Sequence, residues 1–222
     1  MMKILFFCRT GCNHSSNAHS YIRKYFDDVT VVATGKRGCE ISDNIRSWQG
    51  DVILSFRNLF IIDDDILKRA SKYSINFHSG PPNYPGSGCT NFALLDNSKE
   101  YGVTAHLMND RVDTGAIYKV NNFEISPNDN IDRLVVKTHE KLMVLFKDVV
   151  DDMANGLDIT KLSENSGIKW SGVKRKISAI NKLQRIELDL NTEEIEKRVR
   201  ALHTEDFPIE LKIGKFLFTL KA

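Results

Sequence analysis

Four cysteines, five prolines and no long apolar run set the first limits on this 222-residue chain. Cys8, Cys12, Cys39 and Cys89 are too few and too irregularly spaced for a disulfide framework. His14 and His19 follow Cys8 and Cys12, but no second cysteine pair with finger-like spacing completes a metal site, so no metal is expected. No stretch reaches the length of a membrane span, and MMKILFFCRTG is too short an apolar start for a secretory leader. An excess of one charge is missing too. Lys and Arg number 31 against 29 Asp and Glu, a formal balance of +2 that argues against a broad nucleic-acid surface. A cytoplasmic protein, neither membrane-bound nor nucleic-acid-binding, is expected.

What is present is ordered alternation. KILFF, VTVVAT, DVILSF and YSINF are short buried-strand runs, separated by the helix-like SNAHSYIRKYF, ISDNIRSW and DDDILKRAS. Ser15, Ser16 or Asn17 is expected to cap the first of these helices. The β-α-β-α-β-α-β order predicts an α/β fold, a Rossmann-like and mostly parallel sheet with helices on both faces. FALLDN reads as a short helix, YGVTAHLM and AIYKVNNFEI as strands, and residues 130–156 as one long helix. NTEEIEKRVRALH is a helix with Asn191 and Glu194 in a capping box, and PIELKIGKFLFTLKA reads as a β-hairpin. The expected organisation is a main domain over 1–156, a connecting segment over 157–190, and a small C-terminal helix and hairpin over 191–222. Phe216 and Phe218 of the hairpin face either the preceding helix or a second subunit.

Three of the five prolines crowd one loop, in INFHSGPPNYPGSG. The strand leading into it places Asn76 and His78 two residues apart, hence on one side. An amide can hold a developing oxyanion, and an imidazole exchanges protons near neutrality. Asp113, in the loop NDRVDTGAI, is the candidate acid to orient that ring and favour its charged form. A strand-end histidine can equally be structural. His14, His19, His139 and His203 read as surface or capping residues, and Cys89 as a small buried one.

NFHSGPPNYPGSG and YGVTAHLMNDRVDTGAIY, in that order and at that separation, closely resemble the two motifs of folate-dependent formyltransferases. The resemblance covers about residues 50 to 125. It implies N10-formyltetrahydrofolate as co-substrate and Asn76, His78 and Asp113 as the catalytic trio, with His106 in support. It also implies a pterin pocket from Phe60, Ile61 and Ile62 on one loop and Asn109, Asp110, Arg111, Val112 and Asp113 on another. Gly80 and Pro81 stand where relatives carry two aliphatic residues, a departure that bears on the acceptor.

Within the family, the tail most resembles the small sugar N-formyltransferases. That implies a nucleotide-linked amino sugar as acceptor, dTDP-4-amino-4,6-dideoxyglucose by preference, on a route to lipopolysaccharide O-antigen. It also implies a homodimer, with the C-terminal hairpin as its candidate interface. Tyr84 is the candidate nucleotide contact, and Trp170 a candidate for stacking or for ordinary packing. Glycinamide ribonucleotide formyltransferase, with a phosphate on GCNHSSN, and a formyltetrahydrofolate hydrolase are the competing activities. A folate-binding module without turnover is the non-enzymatic one. The near-neutral charge and short tail speak against a tRNA acceptor.

Overall fold

Alternate residues of the first strand, β1 (Lys3–Arg9), enter two different cores: Ile4, Phe6 and Cys8 on one side, Leu5 and Phe7 on the other. A strand apolar at every position is buried on both faces, and a period of two divides its side chains between them. A computed structural model describes residues 1–187 and 189–221 of the chain. It contains two units. One comprises Met1–Ser79, Val103–Asn121 and His139–Trp170; the other comprises Gly80–Gly102, Asn122–Thr138 and the residues from Ser171 onward.

After β1 come α1 (Asn13–Ile22), β2 (Asp28–Thr34), α2 (Asp43–Arg46), β3 (Gly50–Phe56), α3 (Asp64–Leu67) and β4 (Ala70–His78). Then follow α4 (Cys89–Leu95), β5 (Glu100–Leu107), β6 (Ile117–Glu124) and the long α5 (Ile131–Ala154). The six strands form one sheet in the order β2-β1-β3-β4-β5-β6. Strands β1 to β4 pair in parallel, and β5 runs antiparallel to β4. The Rossmann-like, mostly parallel sheet expected from the sequence is what forms. Ala18 and Ile22 of α1 and Leu142, Phe146 and Val149 of α5 cover one face; Ile45 of α2 and Ile66 of α3 cover the other. Asp63 caps α3 by accepting from Ile66 N at 3.1 Å. The cap expected for α1 is corrected. The helix begins earlier, with Cys12 as N-cap and no side-chain cap bond, and Ser15 instead accepts from Arg9 N at 3.2 Å.

α6 (Ile159–Glu164) belongs to the first unit. The second unit holds α7 (Ser178–Asn181), β7 (Arg185–Ile186), α8 (Thr192–Leu202), β8 (Glu210–Ile213) and β9 (Phe216–Thr219). Its core joins Phe92, Leu94, Tyr101, Leu134, Ile186 and Leu202. Asn191 caps α8 as expected, accepting from Glu194 N at 2.8 Å. Ile213 pairs Phe216, so Gly214 and Lys215 form the hairpin turn, with Gly214 at φ +57°. Strand β9 is the outer strand of the β7-β8-β9 sheet, and all four of its residues are exposed.

Candidate active site

Asn76 and His78 close β4 at its carboxyl end, where open α/β sheets bind their ligands. The antiparallel register sets His106 of β5 directly opposite Asn76 and Thr104 opposite His78. Asn76 Nδ2 lies 3.2 Å from His106 Nε2, and His106 Nδ1 lies 2.8 Å from the Leu107 carbonyl oxygen.

Asp113 arrives from the loop after β5. That loop leaves and returns at one place, because Leu107 N donates to Ala116 O at 2.8 Å. Gly115 makes the return possible: a Cβ there would stand 1.8 Å from Leu107 O. Within the loop, Asn109 Oδ1 accepts from Arg111 N at 3.0 Å and from Thr114 Oγ1 at 2.8 Å. Asp113 itself sits at φ +54°, in the left-handed region that aspartate tolerates better than most residues. Its Oδ1 is 3.5 Å from His78 Nδ1 and 3.5 Å from His106 Nε2. All three side chains are buried. These separations exceed a normal hydrogen bond, but charge acts strongly across them in a dry site, and catalytic contacts commonly tighten once substrate binds.

Trp170 completes the group. Its ring meets His106 edge-on at 5.0 Å and His78 at 5.6 Å, while Nε1 donates to Gly115 O at 2.8 Å. The sequence left this residue between stacking and packing. No local pattern ties position 170 to position 78, so the contact exists only once the fold is made.

The two loops expected to hold a pterin present apolar side chains to the surface. Ile61 is 69% exposed and Val112 44%. Phe60 stacks on Phe7, with centroids 6.0 Å apart and planes 10° apart, and Ile62 is half-buried. Asn58 braces the first loop, accepting from Thr34 Oγ1 at 2.7 Å and from Phe60 N at 3.0 Å. Asp110 and Arg111 form an exposed ion pair at 3.9 Å, a contact of little energetic weight.

Tyr84 lies in the second unit, 7% exposed, with its hydroxyl 2.7 Å from Ser98 Oγ. It offers a ligand little surface. His203 is the C-cap of α8 and accepts from Ile209 N at 3.2 Å, in keeping with a capping role. His139 departs from the surface reading: it is half-buried beside His14, ring centroids 5.6 Å apart. None of the four cysteines is assigned to a disulfide, and among the described residues no helix is long and apolar enough to cross a membrane.

The formyl transferase family matches residues 11–150. A methionyl-tRNA formyltransferase of Flavobacterium psychrophilum is 31% identical over 134 residues, 58% of this chain. The chain spans only 40% of that relative's length. Two crystal structures share the fold. The 4-N formyltransferase from Francisella tularensis superposes with a TM-score of 0.78 at 18% identity, over 100% of this chain and 97% of the other. The N-formyltransferase from Helicobacter canadensis, in complex with folinic acid and dTDP-3-aminofucose, superposes with a TM-score of 0.73 at 21% identity, over 97% of this chain and 85% of the other. The family match runs through well over half of the sequence, including both strands that carry the Asn76, His78 and His106 cluster and the loop that brings Asp113 to it, and on that ground the chain belongs to the formyl transferase family.

Proposed function

We propose that the chain transfers a formyl group from N10-formyltetrahydrofolate to the amine of a nucleotide-linked amino sugar, with dTDP-4-amino-4,6-dideoxyglucose as the preferred acceptor. The observation that carries this is the convergence of an amide, two imidazoles and a carboxylate at one strand end. The amine nitrogen attacks the formyl carbon, and the carbonyl electron pair moves onto oxygen. Asn76 Nδ2 has a hydrogen left to donate to that oxygen. Collapse of the tetrahedral adduct breaks the bond from carbon to folate N10. One amine proton leaves and one proton reaches N10, and His78 is the group to carry them. Asp113, 3.5 Å from His78 Nδ1, stabilises the ring while it is charged.

Folate as donor is supported by the exposed apolar Ile61 and Val112 on the loops beside this cluster, which suit a flat heterocycle. Folinic acid in the Helicobacter enzyme supports it too. The sugar acceptor is supported by the near-complete match to the Francisella 4-N formyltransferase and by the dTDP-sugar bound to the Helicobacter protein. Four cysteines outside any assigned disulfide suit a cytoplasmic setting. The exposed apolar side chains of β9, Phe216, Leu217 and Phe218, support a homodimer formed through the hairpin.

The test is a panel of amines offered with the formyl donor, with donor loss followed and products weighed. Formylation of a nucleotide-linked amino sugar is expected. Formylation of glycinamide ribonucleotide alone would overturn the acceptor, and donor loss with no amine present would make the protein a hydrolase.

A further inference from the structure

A second polar group stands on the same carboxyl edge of the sheet, outside the chemistry above. Cys8 of β1 is in register with Phe56 of β3, and Phe56 with Phe77 of β4. The next positions on these three neighbouring strands are Arg9, Arg57 and His78. Strands lie about 4.8 Å apart, so the Arg57 backbone is roughly one strand spacing from His78 and Arg9 roughly two. Neither arginine joins an ion pair among the described residues. Arg57 also adopts φ +52°, a conformation that disfavours a long side chain and that glycine or asparagine would fill more easily. Strained backbone of this kind, held here by the neighbouring Asn58 bonds, collects where a side chain must be aimed.

The surroundings are one-signed. Burial, followed by the Arg57, His14 and Arg9 charges, pushes the His139 imidazole down to about 4. Burial pulls Arg57 below its ordinary value, and Arg9 adds to the pull. Burial pushes the Cys12 thiol up, but bonds from Ser15, the Arg57 charge and the His14 backbone outweigh it, and the thiol sits below its ordinary value. Carboxylates contribute to none of these shifts.

We propose that Arg9 and Arg57 form a diphosphate-binding site, which seats the nucleotide end of the acceptor one sugar ring away from His78. The proposal rests on the acceptor class given above and adds its anchoring residues. Arg9 and Arg57 sit about one strand spacing apart at the backbone, near enough for both guanidinium groups to reach one diphosphate, and each can bind a phosphoryl group through paired N–H donors. A single carboxylate would satisfy only one of them.

Titration calorimetry with dTDP, inorganic pyrophosphate and thymidine tests this, using the full chain and its Arg9→Gln, Arg57→Gln and Arg57→Lys variants. dTDP and pyrophosphate should bind and compete, with thymidine binding far more weakly. Each Gln variant should lose about tenfold or more in affinity, and Arg57→Lys, which keeps the charge but not the paired donors, should recover only part of it. Cys12 supplies a second readout that needs no variant: pyrophosphate should slow its alkylation, mapped by mass spectrometry, and leave Cys39 unaffected. Unchanged affinity in both Gln variants overturns the site. So does protection of Cys12 by a polyglutamyl folate but not by pyrophosphate, which would assign the arginines to the donor's tail. If amino sugars are formylated but the Gln variants keep the wild-type acceptor KM, the site fails and the reaction stands. If no amino sugar is formylated but the variants lose pyrophosphate, the site stands and the acceptor fails.

Discussion

Asn76 Nδ2 lies 3.2 Å from His106 Nε2, and the other nitrogen of that ring faces the Leu107 carbonyl oxygen at 2.8 Å. A carbonyl can only accept, so His106 Nδ1 carries a proton, and with the Asn76 Nδ2 facing it Nε2 serves as the acceptor. The Asn76 amide must then point its NH2 toward the ring, with its second hydrogen free for substrate. His106 is in this sense a positioning residue for Asn76. Asn76→Ala should lower kcat on the order of a hundredfold or more, the usual cost of an oxyanion donor. His106→Ala should cost about tenfold to a hundredfold in kcat by releasing the amide's orientation. Steady-state kinetics on variants with unchanged circular dichroism check both. Loss confined to KM would remove His106 from this role.

Asp113 reaches His78 only because its loop turns back against β5. Asp113→Asn keeps the shape and removes the charge, and should lower kcat by about two to four orders of magnitude. Gly115→Ala attacks the same geometry through the backbone, since its Cβ would strike Leu107 O. It should destabilise the protein by about 1–3 kcal/mol and lower turnover together, whereas Asp113→Asn should leave the melting temperature nearly unchanged. Thermal melts run beside the kinetics separate the two cases.

Trp170 and Trp48 are the two tryptophans of the chain, and Trp48 is buried in the opposite core with Phe7, Ile53 and Ile66. Trp170 touches both site imidazoles, so reduced folate should quench its fluorescence. The quench should survive Trp48→Phe and shrink in Trp170→Phe, after correction for folate absorption. Edge-on aromatic contacts contribute about 0.5–1.5 kcal/mol, so Trp170→Ala should lower kcat about threefold to tenfold through looser imidazoles.

His139 makes stability depend on pH. Its imidazole sits near 4 in the fold, against an ordinary value of 6.5. Between those values the unfolded chain binds a proton that the folded protein refuses. The contribution is therefore complete above pH 6.5 and is lost as the pH falls toward 4. After screening it is on the order of 1–2 kcal/mol. Urea denaturation of wild type and His139→Gln from pH 7 to 4 measures it, and the variant should show the shallower decline.

The hairpin gives a test of assembly. Phe216 is 59% exposed and Phe218 52%. If they bury each other's counterparts in a dimer, Phe216→Ser with Phe218→Ser should yield a monomer by analytical ultracentrifugation, with site chemistry intact. A wild-type monomer at micromolar concentration would remove the dimer.

Local pattern was sufficient wherever the physics is local. Alternating apolar residues in β1 assign its two faces because a strand repeats every two residues. Asn191 and Asp63 announce helix starts because a side-chain oxygen reaches an amide three residues on. The pairing of Asn76 with His78 is legible for the same reason: residues i and i+2 of a strand share a side. The rest depended on tertiary structure. His106 meets Asn76 through antiparallel register, Asp113 meets both rings through a loop closed at Gly115, and Trp170 arrives from beyond α5. Burial of Tyr84 and the bare N-cap at Cys12 belong with these. Which distant segments meet is set by strand order, register and loop closure, and those are properties of the whole packed chain, beyond the reach of any short window of it.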